Sequence, residues 1–159
     1  MTAYSIEEQT KIGEEYEAIL DDFFASQYDI EQVSVDVQKL TGMDRIFTRK
    51  TTGVKASVEY KTDFKAQDTG NVFIETESIG GTGKPGWAYC SIAQLLIYFI
   101  PRKNLIYIAD MFKIKSEIDK LAVAYGVKSV DNGHFKMLGV PVPFEAFEDY
   151  VLSIIRWSR

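Results

Sequence analysis

The chain has 159 residues, 46% of them hydrophobic and 26% charged, with a formal net charge of −5 at pH 7, which suits one globular domain spanning 1–159 and disfavours indiscriminate binding to nucleic acid. One cysteine, Cys90, and one histidine, His134, exclude an internal disulfide and argue against a zinc site, so any metal would be held by oxygen. No apolar run has the length of a membrane span and the N-terminus lacks a basic-then-apolar leader, so a cytoplasmic protein is expected.

Ser5 is placed to cap a first helix running to about residue 25, with Glu7 and Glu8 in its first turn. Ile12, Tyr16, Ile19, Leu20, Phe23 and Phe24 recur at helical spacing, and Glu15 and Glu17 flank that stripe. Strands are expected at 31–37, 43–50 and 54–62, the last two joined by Thr51-Thr52-Gly53, and a fourth at 71–78. The glycine-rich stretch 80–86 reads as flexible and is no phosphate-cradling loop, because Lys84 is followed by Pro85. Residues 91–99 read as a short buried helix ended by Pro101, 104–109 as an apolar strand inside a sheet, and 112–125 as an amphipathic helix closed by Gly126. Residues 127–138 fold back through Asp131-Asn132-Gly133, and Pro143 opens a last helix reaching about Trp157.

Chemistry concentrates in the second and third strands. Asp44 lies in Gly42-Met43-Asp44-Arg45-Ile46, and fifteen residues later comes Val58-Glu59-Tyr60-Lys61. Alternation along a strand puts Glu59 and Lys61 on one face and Tyr60 on the other. Two converging carboxylates with an ammonium beside them can hold a hard divalent cation and steer a water toward a phosphodiester; a solvated strand face with an ion pair is the plainer reading. Positive charge is local. Six basic residues lie between Asp44 and Lys65, among them Arg45, Arg49, Lys50 and Lys55, against three acidic ones. Lys84 and Trp87 flank the glycine-rich loop, where the indole either stacks on nucleic acid or plugs the core. Glu75 and Glu77 share a face of the fourth strand, where cross-strand pairing with the basic residues is the preferred account.

This order of elements, with Asp44 opening the second strand and Glu59-Tyr60-Lys61 on the third, resembles the PD-(D/E)xK nuclease superfamily over about two thirds of the chain, from Gly13 to Ala109. Gly42-Met43 stands where the motif's proline is usual. The first helix, with Gly13, Glu17 and Leu20, is similar to that of archaeal-type Holliday-junction resolvases. The resemblance implies an α/β, restriction-endonuclease-like mixed sheet (an αβββαβ core) flanked by helices, with a C-terminal hairpin and helix. It implies Mg²⁺ or Mn²⁺ on Asp44, Glu59 and the backbone carbonyl of Tyr60, joined by Glu17, or by Glu15 as second choice. It implies that Lys61 orients or helps deprotonate the attacking water, and that Gln94 supports the site from the following helix; a structural hydrogen bond to backbone is the alternative for Gln94. The expected activity is hydrolysis of DNA phosphodiester bonds, endonucleolytic and dependent on DNA structure or context, leaving a 5′-phosphate. Arg45, Arg49, Lys50, Lys55, Lys84 and Trp87 would face the DNA. Small size without accessory domains suits a phage or mobile-element protein acting as a dimer or inside a larger assembly. The rival expectation is a catalytically inactive protein of the same fold, serving as a DNA-binding or protein-interaction module.

Overall fold

The apolar stripe Tyr16, Ile19, Leu20, Phe23 and Phe24 becomes the inner face of helix α1 (Ile6–Phe24), which lies against one side of a β-sheet. The structure, a computed structural model, describes residues 6–78, 83–131 and 136–158. The predicted cap Ser5 and the turn residues Asn132 and Gly133 fall outside them. The chain continues through β1 (Tyr28–Gln32), α2 (Val35–Thr41), β2 (Arg45–Arg49), β3 (Lys55–Thr62), α3 (Ala66–Thr69) and β4 (Asn71–Glu77). Then come α4 (Trp87–Cys90), β5 (Leu95–Ile100), β6 (Leu105–Asp110) and α5 (Met111–Tyr125). The last elements are β7 (Lys128–Asp131), β8 (Lys136–Pro143), α6 (Phe144–Phe147) and β9 (Val151–Arg156).

Among the described residues the strands form a six-stranded mixed sheet in the order β1-β2-β3-β5-β6-β9 and a three-stranded antiparallel sheet, β4-β8-β7. The protein is therefore α/β, with helices against a mixed sheet. β1, β2 and β3 make an antiparallel meander; β5 then joins β3 in parallel, Glu59 opposite Leu96 and Lys61 opposite Tyr98. The large sheet is covered on both sides. Val58, Tyr60, Ile97 and Phe99 pack with Leu20 and Phe24 of α1, whereas Leu96, Tyr98 and Ile100 pack with β4, β8 and α5 through Ile74, Val140 and Ile114. Fully burying a side chain such as Leu20 or Phe24 contributes about 1.5–3 kcal/mol. No helix among the described residues is long and apolar enough to cross a membrane.

Four expectations are corrected. Part of 31–37 forms α2, so the first strand ends early; Gly42 then stops α2 in the left-handed conformation (φ 73°), its N–H donating to the Gln38 carbonyl. The expected helix at 91–99 is strand β5 preceded by an extended segment, and the helical turn sits before it, at Trp87–Cys90. A six-residue run Leu-Leu-Ile-Tyr-Phe-Ile, apolar on every position, fits a strand buried on both faces as well as a buried helix, and periodicity does not separate the two. The long final helix reduces to α6 and a 3₁₀ turn (Glu148–Tyr150), after which the β-branched residues of Val151-Leu-Ser-Ile-Ile extend as the edge strand β9. β4 leaves the meander to pair with β8, so Glu75 and Glu77 have no cross-strand basic partner on β3.

Candidate active site at the opening of β2 and β3

β2 and β3 stay paired only from Arg45–Val58 to Thr48–Lys55. Beyond that point Asp44 takes over the edge of β3: its main-chain N–H donates to the Val58 carbonyl (2.8 Å), and its Oδ2 accepts the Tyr60 N–H (2.8 Å). The carboxylate thus replaces the missing strand and straddles Glu59. A strand residue's N–H and C=O project to the same edge, so the Tyr60 carbonyl also faces the Asp44 side instead of β5.

Glu59 points from β3 toward the second sheet and is 4% exposed. Its Oε1 lies 3.1 Å from Lys61 Nζ, whose side chain is 38% exposed, so the ammonium links the buried carboxylate to solvent. Its Oε2 is buried without a hydrogen-bond partner. An unpartnered buried carboxylate oxygen costs free energy unless something satisfies it. Space is kept open beside it by Gly42, where an added Cβ would stand 3.1 Å from Glu59 Oε2 and 2.7 Å from Ser91 Oγ. Gly42→Ala combines that clash with a positive φ and is expected to destabilise by on the order of 1–3 kcal/mol; urea denaturation measures it, and an unchanged midpoint would contradict the geometry.

The charges perturb one another. Burial raises Asp44 from 3.8 to about 6; the Tyr60 N–H and Lys61 pull it down, while Glu17 and Glu59 push it up. Burial lowers Lys61, yet Glu59, Glu75 and Asp44 outweigh it and the net direction is upward, which keeps the ammonium charged. Burial also raises Glu17 against the opposing pull of Arg45, and raises Glu75 against that of Lys61. Glu75 therefore faces the site from the second sheet.

Glu17 approaches from α1, its Oε2 3.3 Å from Arg45 Nη2, and its charge is felt by Asp44; Glu15 is exposed. Asp44, Glu59, Lys61 and Glu17 are thus brought together. Three other residues are placed differently from expectation. Gln94 is exposed and lies ahead of β5, where its Oε1 accepts the Ser57 N–H (2.9 Å) and its own N–H donates to Ser57 Oγ (3.0 Å); it pins β5 to β3 instead of reaching the carboxylates. Arg45 is 3% exposed and bound to Asp21 and Glu17, so it is not on a DNA-facing surface. Trp87 is 5% exposed within the core between the sheets and offers no face for base stacking. Arg49, Lys50, Lys55 and Lys84 are exposed. Asp21, which holds both Arg45 and the Tyr60 hydroxyl, went unread; its place four residues after Glu17 on the same helix face was the available signal.

Among the described residues no three His, Cys, Asp or Glu side chains converge closely enough to enclose a cation. The donor set at hand is two carboxylates with a backbone carbonyl, a hard-oxygen set of the kind Mg²⁺ takes when water and phosphate complete its shell. A cleft of about 350 Å³ lies on the opposite face of the sheet, lined by apolar residues including Phe24, Phe47, Ala56 and Ile97, and none of the four clustered residues borders it. No protein-family model, curated protein or solved structure matches the chain.

Proposed function

We propose that the protein is a divalent-cation-dependent nuclease of the PD-(D/E)xK type, hydrolysing DNA phosphodiester bonds. The observation that carries this reading is the buried, unpartnered Glu59 Oε2, set next to a strained Asp44 and an ammonium 3.1 Å from its sister oxygen. Without a cation, that arrangement is a cluster of negative charge held at a cost. The topology supports the same reading: a helix, an antiparallel meander and a strand added in parallel to β3 follow the αβββαβ order. The departure is the connection from β3 to β5, which carries β4 and two four-residue helices where one long helix would be expected.

In this reading Asp44, Glu59 and the Tyr60 carbonyl hold Mg²⁺ or Mn²⁺, which supplies positive charge against the phosphate and a more acidic water. Lys61 stays protonated because acids surround it, so it serves as a hydrogen-bond donor and counter-charge to the phosphate, not as the base. A water oxygen bonds to phosphorus as the bond to the 3′ oxygen breaks, leaving a 5′-phosphate and a 3′-hydroxyl. Asp44 is mostly ionised above about pH 6 and anchors the donor set there.

Arg49, Lys50 and Lys55 sit at the tip of the β2–β3 hairpin, about 13–16 Å along the strands from Glu59 and Asp44. That reach corresponds to phosphates roughly four or five base pairs from the cut. Reversing charge at Arg49 and Lys55 together is expected to weaken DNA binding and to reduce its salt dependence by about two phosphate contacts. Melting temperature should not move, since both side chains are exposed. Titrations at several salt concentrations test this; an unaltered slope would place the DNA elsewhere.

A further inference from the structure

We infer that Arg45 is a positioning residue, whose buried guanidinium fixes Glu17 and the main chain of Asp44 for the cation; this rests on the function proposed above. Strand alternation puts Arg45 on the α1 side, beside Val58 and Tyr60, while its neighbour Asp44 serves the site. The guanidinium is spoken for on every side. Nε donates to Asp21 Oδ1 (3.0 Å) and Nη2 to Asp21 Oδ2 (3.1 Å), a fork that matches a carboxylate. Nη2 also reaches Glu17 Oε2 (3.3 Å), and Nη1 donates to the Asp44 carbonyl (3.0 Å). The Arg45 Cζ stands 5.3 Å from the centre of the Tyr60 ring, and the Tyr60 hydroxyl donates back to Asp21 Oδ1 (2.9 Å).

These contacts close a circuit. Asp44 is held at its carbonyl by Arg45 and at its carboxylate by the Tyr60 N–H, and both Arg45 and Tyr60 converge on Asp21. A buried ion pair is a poor device for stability alone, because apolar residues of similar volume usually serve as well. Here two of the guanidinium's contacts end on residues of the cation site, which a purely structural pair would not require. Lysine retains the charge but lacks the planar fork, so it cannot serve Asp21, Glu17 and the Asp44 carbonyl together.

The test is titration calorimetry of the full-length, cation-free protein with Mn²⁺, comparing wild type with Arg45→Lys, Asp21→Asn and Tyr60→Phe. Residues that orient metal ligands typically set affinity by 10–100-fold. Arg45→Lys is therefore expected to weaken Mn²⁺ binding by about 10–100-fold, and Asp21→Asn by about 10-fold, with less-than-additive loss in the double variant. DNA cleavage by the same variants should lose kcat with KM unchanged. If Arg45→Lys does not fold, Asp21→Asn and Tyr60→Phe carry the test, since each removes a single interaction of the circuit and leaves its shape. Folded variants that bind Mn²⁺ as tightly as wild type would overturn the positioning role while leaving the nuclease reading intact. Wild type that binds no Mn²⁺ would overturn both.

Discussion

Lys61→Met is expected to slow DNA cleavage by about 100- to 1000-fold, the usual consequence of removing one preorganised group that meets charge developing on the phosphate. Glu59→Gln is expected to be at least as severe, because it removes the one carboxylate with an oxygen free to take a cation. The two differ in stability. Lys61→Met leaves Glu59 charged and buried without its partner at 3.1 Å, which costs several kcal/mol when a pair is fully enclosed and less here, since Lys61 is partly exposed. Glu59→Gln removes the buried charge itself. The double variant should therefore melt higher than Lys61→Met alone. Stopped-time cleavage assays with thermal melting check both halves, and a Lys61→Met protein that cuts at the wild-type rate would remove the assigned role.

The second large effect concerns Asp44 and pH. Its pKa lies at about 6 in the fold against an ordinary 3.8. Protonation therefore favours the folded state, and the stability it contributes is fully present below about pH 4 and lost as pH rises through about 6. Such a gap corresponds to about 3 kcal/mol at most, and partial exposure brings the expected effect to on the order of 1–2 kcal/mol. Asp44→Asn keeps an oxygen for the Tyr60 N–H and carries no charge. Without added cation at pH 8 it should melt a few degrees above wild type; at pH 4 the two should coincide. Adding Mn²⁺ should raise the wild-type melting temperature and leave Asp44→Asn where it was. A variant less stable than wild type at pH 8 without cation would show that Asp44 is not strained.

Local patterns carried much of the fold. The stripe on α1, the alternation of β2 and β3 and the amphipathic α5 are short-range signals, and these elements lie where periodicity puts them. The Asp44–Glu59 neighbourhood follows from a tight hairpin alone, because register across it is set by the turn. What was hidden depends on distant partners. β5 and β9 are short apolar runs whose state is decided by the sheet that receives them, and β4 joins β8 across more than sixty residues with no local mark of that choice. Burial of charge is equally non-local. Arg45 reads as a surface cation until Asp21, 24 residues earlier, is brought beneath it. Trp87 likewise stands next to a glycine-rich loop in sequence but inside the core in space.

The central claim is that Glu59 and Asp44 share a divalent cation that cuts DNA. The most direct measurement incubates wild type and Glu59→Gln with labelled duplex, flap, four-way-junction and single-stranded DNA, each with Mn²⁺ or with a chelator. The account predicts 5′-phosphorylated products from at least one substrate with wild type and Mn²⁺, and none with the chelator or with Glu59→Gln. No cleavage of any substrate by wild type, or equal cleavage by Glu59→Gln, would contradict it.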